Sequence, residues 1–225
     1  MKKVLAFFGA FNPPTRAHLE LARLSAGQTG REGVIFVPSK MDYIQNDQHK
    51  DFSFSDEDRY RMLQSACMGD PSLMVCDWEL KQPHQPRTYE TLCHLRDEGF
   101  SPSLLMGSDK LPELEHGWLY VPEIVREFGI VCMSRDLQNV KSILHEDPFL
   151  HGLSGGIQVV ESPAAYQTIS STRVRRILKE IARLKTLPGP ADEAALQQIQ
   201  EKKAALAGLV PEPVLAILLS KAFKI

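Results

Sequence analysis

The sequence lacks three features that would each point to a whole class of proteins. Its four cysteines show no CxxC spacing, so we expect buried free thiols in a reducing compartment. No apolar run approaches the roughly 18 residues needed to cross a bilayer, and the charged Met-Lys-Lys start leads straight into an apolar strand rather than a signal peptide. The formal charge of −2 is not the basic balance of most nucleic-acid-binding proteins. We therefore expect an intracellular protein, cytoplasmic or nuclear, with no nucleic-acid or membrane partner.

What the chain has instead is an alternation of short apolar runs with helical patterns. Its 225 residues suffice for one domain with an elaboration. Continuously apolar strands that alternate with helices are typical of a parallel sheet covered on both faces. We thus predict an α/β fold: a Rossmann-like open parallel sheet with helices on both faces, plus a small helical C-terminal region. The predicted strands are residues 4–8, 33–38, 73–78, 103–109, 129–134 and 157–160.

The last quarter of the chain is predicted to be helical. The stretch ISSTRVRRILKEIARL starts with Ser and Thr and has one apolar face, which predicts a strong helix. We place a core domain at 1–170 and a helical region at 171–225, with a helical insert at about 184–208. The insert is expected to cover the surface or a partner rather than line the site, with Leu196 and Ile199 as its main apolar contacts.

The segment GAFNPPTRAH directly follows the first predicted strand, and ligands in open α/β sheets bind beyond the carboxyl ends of strands. Gly9 permits a close approach to the backbone. The next helix directs its N-terminal amides outward, which favours an anion. Thr15 and His18 lie three residues apart, on one face of the first turn. Two interpretations remain open: a phosphate cradle with His18 as donor, or a capped turn with an incidental histidine.

A second candidate anion site is the helix start TISSTRVRR, where hydroxyls meet Arg173, Arg175 and Arg176. Cations at a helix N-terminus oppose the helix dipole unless an anion binds there. The alternative is a solvated basic face. The strand end MGSD carries Gly107 and Asp109, which suit a ribose or a metal-bound water, or form a simple turn.

The two tryptophans, Trp78 and Trp118, are each predicted near a strand end or in a strand-to-helix loop. An aromatic side chain there could stack on a planar ring of a ligand. The alternative is that each fills the core.

The segments GAFNPPTRAH and ISSTRVR resemble the two signatures of the nucleotidyltransferase superfamily. Further segments, TYETLCHLR, LLMGSDKL, EIVREFGIVCMSR and LVPEPV, are similar to the nicotinamide/nicotinate mononucleotide adenylyltransferases, and most to their eukaryote-like branch. This resemblance implies transfer of the adenylyl group of ATP to nicotinamide mononucleotide and to nicotinate mononucleotide. It also implies Mg²⁺ on the ATP phosphates, held mostly by water, with no residue assigned as a metal ligand.

The resemblance further implies roles for individual residues. His18 and Arg175 are the expected catalytic residues. The expected mononucleotide-binding residues are Trp78, Thr88 and Trp118. The expected ATP-binding residues are Gly9, Ala10, Phe11, Thr15, His18, Gly107, Asp109, Ser171, Thr172 and Arg175.

The chain also departs from the family pattern. Thr15 stands where the broader superfamily has the first histidine of a pair, and Ala17 replaces a glycine. The loop after VPSKMDY lacks a lysine cluster, which leaves Lys40 or Lys50 as substitutes. Two alternatives therefore stay open: transfer of an adenylyl or cytidylyl group to another phosphate, and a weakly catalytic nucleotide-binding or chaperone-like protein on the same fold. The sequence leaves the oligomeric state open, a homo-oligomer included.

Overall fold

The computed structural model describes residues 1–46, 54–134, 137–186 and 193–220. In this part of the chain one sheet has six strands, all parallel, in the order β3-β2-β1-β4-β5-β6. This order confirms the predicted Rossmann-like sheet and places its topological switch between β1 and β4. The strands are β1 (Lys2–Gly9), β2 (Gly33–Pro38), β3 (Leu73–Val75), β4 (Phe100–Gly107), β5 (Ile130–Ser134) and β6 (Ile157–Glu161).

All six predicted strands are present, but the predicted ends of the third and fourth strands are wrong. The fourth strand was expected over 103–109, whereas β4 ends at Gly107 and a 3₁₀ turn begins at Ser108. Residues 73–78 were expected to be extended, whereas β3 ends at Val75 and Trp78 begins a helical turn. The turn forms because Lys81 folds back on Asp77, through a hydrogen bond to its carbonyl and a 2.8 Å ion pair with its carboxylate. Such pairs four residues apart stabilise helical backbone.

Helices cover the sheet, and none in the described ranges is both long and apolar enough to cross a membrane. Short 3₁₀ turns span Ser108–Glu113, Ser154–Gly156 and Ala164–Tyr166. The α-helices are α1 (Arg16–Gln28), α2 (Met41–Asn46), α3 (Asp56–Cys67), α4 (Trp78–Lys81), α5 (Thr88–Asp97), α6 (Leu114–Gly117), α7 (Val121–Glu127), α8 (Leu137–Glu146), α9 (Pro148–Leu153), α10 (Ser171–Lys185), α11 (Glu193–Ala207) and α12 (Glu212–Ser220).

Two hydrophobic clusters form the core, one on each face of the sheet. Successive strand residues point to opposite faces. Val4 belongs to the cluster that includes residues of α5, α7, α8 and α9, whereas Leu5 belongs to the cluster that includes residues of α1 and α3. Both side chains are fully buried. Burial on both faces explains why the strands are continuously apolar in the sequence.

A third cluster joins α10, α11 and α12 to α3. Within it Leu206 is fully buried and Ile199 is partly buried, whereas Leu196 is 54% exposed. The expectation that Leu196 is a main apolar contact of the insert is therefore wrong, because α11 turns its C-terminal part toward the cluster. The division into 1–170 and 171–225 stays a prediction.

Candidate functional site

The carboxyl ends of β1 and β4 are adjacent at the switch of the sheet, where open α/β sheets bind their ligands, and the first signature segment follows β1 at this edge. Phe11 adopts a left-handed backbone conformation with a φ of 43°. Its ring is buried against Phe7 and Phe36. A Cβ at Gly9 would lie 3.2 Å from the Phe11 ring. The group that approaches Gly9 is therefore Phe11, and a glycine at this position lets the turn close on itself.

Thr15 caps α1, and its cap fixes the chemical state of His18. The Nδ1 atom of His18 accepts a hydrogen bond from the Thr15 backbone N–H at 3.0 Å and lies 2.8 Å from Thr15 Oγ1. A backbone N–H can only donate, so Nδ1 carries no proton and the hydrogen of the neutral ring is on Nε2. The structure shows the cap of α1, and the Nε2–H of His18 lies at the ring edge opposite to it. The choice between a phosphate donor and an incidental histidine stays a prediction.

The helix start of α10 is bonded directly to the first signature segment. Ser171 Oγ donates to the carbonyl of Pro13 at 2.7 Å. Arg175 donates from Nη1 to the carbonyl of Asn12 at 2.8 Å and from Nη2 to Thr172 Oγ1 at 3.2 Å. The structure thus brings the N-termini of α1 and α10 together at one end of the sheet, with several of the predicted ATP-binding residues between them.

The segment that follows the insert is also anchored beside α1. The backbone N–H of Arg16 donates to the carbonyl of Leu209 at 2.9 Å, and Arg16 Nε donates to the carbonyl of Val210 at 3.1 Å. These bonds involve the residues directly after α11. The insert therefore ends next to the site.

The end of β4 places the carboxylate of Asp109 at the same edge of the sheet. A Cβ at Gly107 would collide with Oδ1 of Asp109, so a larger residue at 107 would move this carboxylate from its observed position. Asp109 itself is exposed. The MGSD turn consequently holds Asp109 at the edge of the switch.

The two tryptophans lie in different surroundings. Trp78 stacks on His94 of α5, with ring centroids 4.6 Å apart, beside cavities of ≈ 630 and ≈ 460 Å³. Trp118 is partly buried against the first core cluster, and no ring contact between described residues joins it to Trp78. Thr88 is the first residue of α5.

A buried carboxylate lies next to Trp78. Glu79 is only 1% exposed, and it accepts hydrogen bonds from Thr91 Oγ1 at 2.7 Å and from Gln85 Nε2. Burial raises the pKa of Glu79 to about 7. Lys40 contacts the same helix, because its ammonium donates to the carbonyl of Leu80 in α4 at 3.0 Å. Lys50 lies outside the described residues.

Sequence reasoning missed Arg59, a fully buried arginine on α3. Its guanidinium donates to the carbonyls of Ala10, Ser39 and Phe54 and to Asp56 Oδ1. Burial lowers the pKa of Arg59, although arginine remains charged in proteins. The sequence did carry a signal that Arg59 is buried. Arg59 precedes Met62 by three residues on α3, and residues at this spacing lie on the same, apolar face of a helix.

Comparisons with known proteins agree with these features. Residues 6–177 match the model of a family described as cytidylyltransferase-like. A nicotinamide/nicotinic acid mononucleotide adenylyltransferase of Oryza sativa is 30% identical over 89% of this chain and 84% of its own length. A probable nicotinate-nucleotide adenylyltransferase of Neisseria meningitidis is 32% identical over 79% of this chain and 88% of its own.

A solved structure has the same fold. It is the Plasmodium falciparum nicotinic acid mononucleotide adenylyltransferase complexed with NaAD, with a TM-score of 0.66 and 14% identity over 98% of this chain and 96% of that one. At this identity the likeness concerns the fold alone, and the family rests on the matched residues 6–177. The chain belongs to the cytidylyltransferase-like family of nucleotidyltransferases, as its two signature segments predict.

Proposed function

We propose that this protein transfers the adenylyl group of ATP to nicotinamide mononucleotide and to nicotinate mononucleotide, giving NAD or deamido-NAD and pyrophosphate. The observation that carries the proposal is the bond from Arg175 to the carbonyl of Asn12, which joins the two signature segments at the switch of the sheet. Relatives that align with most of this chain bear the names of adenylyltransferases for these two substrates.

The reaction needs positioning and charge stabilisation more than acid–base chemistry. The phosphate of the mononucleotide is largely dianionic at pH 7, with a second pKa near ~6, so it can attack without a general base. It attacks the α-phosphorus of ATP in line; the new P–O bond forms as the bond to pyrophosphate breaks, and pyrophosphate leaves with the electron pair. No proton has to move in this step.

Charge on the phosphates is met by donors from two helix starts. The Nε2–H of His18 donates to the phosphates, because Thr15 holds the other ring nitrogen as an acceptor. Arg175 supplies a planar fork of donors that matches phosphate oxygens. The N-termini of α1 and α10 add the partial positive charge of their helix dipoles. Ser171 and Thr172 lie beside Arg175 in the first turn of α10 and complete the triphosphate contacts.

The adenosine side of the site is assigned to β1 and β4. The turn of Gly9, Ala10 and Phe11 lines the nucleotide, and Gly107 with Asp109 holds the ribose region. Asp109 is also the carboxylate that fits a water bound to Mg²⁺. Mg²⁺ keeps several of its waters and binds chiefly to substrate phosphates, so the proposed ion is held mainly by the ATP phosphates and water. Mg²⁺ would supply charge neutralisation on the phosphates.

We assign Trp78 and Trp118 to stacking on the pyridine ring of the mononucleotide. Thr88 is assigned to the lining of the mononucleotide pocket. Stacking does not distinguish an amide from a carboxylate. Lys81, the lysine closest in sequence to Trp78, is already paired with Asp77 at 2.8 Å. We therefore infer a weak preference for the amide, no greater than about 1–2 kcal/mol or roughly tenfold to thirtyfold in kcat/KM.

The cysteines support an intracellular, cytoplasmic or nuclear setting. All four are free thiols, and burial raises the pKa of Cys67 and of Cys132 to about 12, which keeps both unreactive at neutral pH. The proposed partners are ATP and the two mononucleotides.

The test is pyrophosphate release from ATP with each mononucleotide, and with phosphopantetheine as another phosphate acceptor. The proposal expects both mononucleotides to be used and phosphopantetheine to be inert. Release with phosphopantetheine alone, or with no acceptor, would overturn it. If kcat/KM for nicotinate mononucleotide exceeded that for nicotinamide mononucleotide more than about a hundredfold, the inferred weak preference for the amide would be wrong. Such a ratio would indicate a cation next to the pyridine ring.

A further inference from the structure

One peptide unit lies between the ATP side and the mononucleotide side of the proposed site. It is the unit that joins Ser39 to Lys40, directly after β2. Its carbonyl accepts a hydrogen bond from Arg59 Nη2, and its N–H donates to Gln85 Oε1 at 2.8 Å. Both polar groups of the unit are therefore held by side chains from different elements, α3 on one side and the loop after α4 on the other.

Arg59 connects this peptide unit to the turn assigned to ATP. Its Nη1 donates to the carbonyl of Ala10 at 2.7 Å while Nη2 reaches Ser39. The regular pairing of β1 with β2 ends at the bond from Ser39 N to Gly9 O. Beyond this bond, the planar guanidinium of Arg59 holds the ends of β1 and β2 together, because it donates to the carbonyls of both Ala10 and Ser39.

The same charge acts on the backbone of the turn. A cation on the Ala10 carbonyl polarises the peptide unit between Ala10 and Phe11, so the Phe11 N–H becomes a stronger donor. In the described structure no hydrogen bond occupies this N–H. It belongs to the turn at the carboxyl end of β1.

Gln85 connects the peptide unit to the loop assigned to the mononucleotide. While its Oε1 accepts from Lys40, its Nε2 donates to the buried carboxylate of Glu79, which also holds Thr91. Gln85 stands three residues before Thr88, and Glu79 follows Trp78. The loop 82–87, called the mononucleotide-binding loop below, joins Trp78 of α4 to Thr88 of α5, two of the three proposed mononucleotide contacts. Gln85 therefore fastens this loop to the backbone that follows β2.

We propose that Arg59 and Gln85 are positioning residues for adenylyl transfer, and that together they set the ATP-binding turn and the mononucleotide-binding loop in register through the Ser39–Lys40 peptide unit. Neither side chain is assigned a contact with a reacting atom. This inference rests on the proposed function for the identity of the two substrates.

The test is a double-mutant cycle of Arg59→Lys and Gln85→Met in the full chain. Arg59→Lys keeps the charge and loses the fork, and Gln85→Met keeps the length and loses the amide. The readouts are the calorimetric Kd of ATP with Mg²⁺ in the absence of mononucleotide, and KM and kcat for nicotinamide mononucleotide. Matched controls are Arg23→Lys, a partly exposed arginine bound to Asp70, and Gln64→Met on the exposed face of α3.

Arg59→Lys should raise the Kd of ATP about tenfold, and Gln85→Met should raise the KM of the mononucleotide about tenfold. Each single variant should also weaken the binding of the other substrate at least about threefold, because both side chains hold the same peptide unit. In the double variant, the loss in each binding constant should be about fivefold smaller than the product of the losses in the two single variants. The two controls should stay within about twofold of wild type. If Arg59 and Gln85 had only a structural role, the variants would lower Tm, but a variant on one side would not change the binding of the substrate on the other side. Effects confined to one substrate each, or multiplicative losses, would overturn the proposal.

If Arg59→Lys does not fold, Asp56→Asn replaces it, because Asp56 Oδ1 accepts from both Arg59 and the Met41 N–H. If wild type forms no dinucleotide, the proposed function has failed, and the ATP titration alone decides the present inference. A weaker ATP Kd in Gln85→Met then supports coupling through the peptide unit, and an unchanged Kd contradicts it.

Discussion

Arg175 donates a hydrogen bond to the carbonyl of Asn12 at 2.8 Å across 163 positions of sequence. The bond places the second signature segment on the first, and Ser171 reinforces it through the Pro13 carbonyl. Neither segment forms the proposed phosphate site alone. The site therefore depends on how α10 packs, and α10 packs through the third cluster on α3.

Removal of the Arg175 side chain should weaken ATP binding more than mononucleotide binding. We expect Arg175→Ala to raise the KM for ATP about 10–100-fold, the range of lost charge-assisted hydrogen bonds. Arg175→Lys should rescue this only in part, because a lysine lacks the planar fork. Steady-state kinetics with each substrate varied in turn measures the difference. Equal losses for both substrates would assign Arg175 a structural role.

His18 should act through Nε2, and amide variants can separate its two ring nitrogens. We expect His18→Ala to lower kcat about 10²–10³-fold. It should also cost about 1–3 kcal/mol of stability, because the buried Thr15 backbone N–H loses its acceptor. His18→Gln carries an N–H near the position of Nε2 and should retain more activity than His18→Asn, which imitates only the Nδ1 side. A near-normal kcat in His18→Ala would remove His18 from the mechanism.

Gly107 should be required for the position of Asp109 and not for the strand itself. In Gly107→Ala the new Cβ would displace the Asp109 carboxylate. We expect the KM for ATP to rise about tenfold, with a stability loss below about 1 kcal/mol, because the exposed Asp109 carboxylate can move away from the new Cβ. Gly152→Ala is the matched control, since a Cβ there meets nothing within 4 Å. An unchanged KM in Gly107→Ala would mean that Asp109 does not contact the nucleotide.

The sequence predicted the sheet well because parallel strands buried on both faces leave a local pattern. The stop of β3 before Trp78 was missed because it depends on the fold-back of Lys81 onto Asp77, which competes with the β propensity of the run. Arg59 was missed for a different reason. Two of its partners are the main-chain carbonyls of Ala10 and Ser39, far away in sequence, and a carbonyl leaves no trace in residue type.

Stability should depend on pH through Glu79. The folded protein keeps the Glu79 proton up to about pH 7, whereas an unfolded glutamate releases it near its ordinary pKa of 4.5. Between these values the folded state binds more protons, so the free energy of unfolding falls as the pH rises, by about 3 kcal/mol at ~1.4 kcal/mol per pKa unit. Glu79→Gln cannot ionise and should lose this dependence. Denaturant titrations of both proteins from pH 4 to pH 8 measure it, and parallel pH profiles would refute the role of Glu79.

The most direct test of the reaction follows the phosphorus atoms of ATP. The protein is incubated with nicotinamide mononucleotide and ATP labelled either at the α- or at the γ-phosphate, and the products are separated. Attack at the α-phosphorus predicts the α-label in NAD and the γ-label in pyrophosphate, with both signals about 10²–10³-fold slower in His18→Ala. Recovery of the γ-label in inorganic phosphate, or an α-label that never enters a dinucleotide, would contradict adenylyl transfer by this protein.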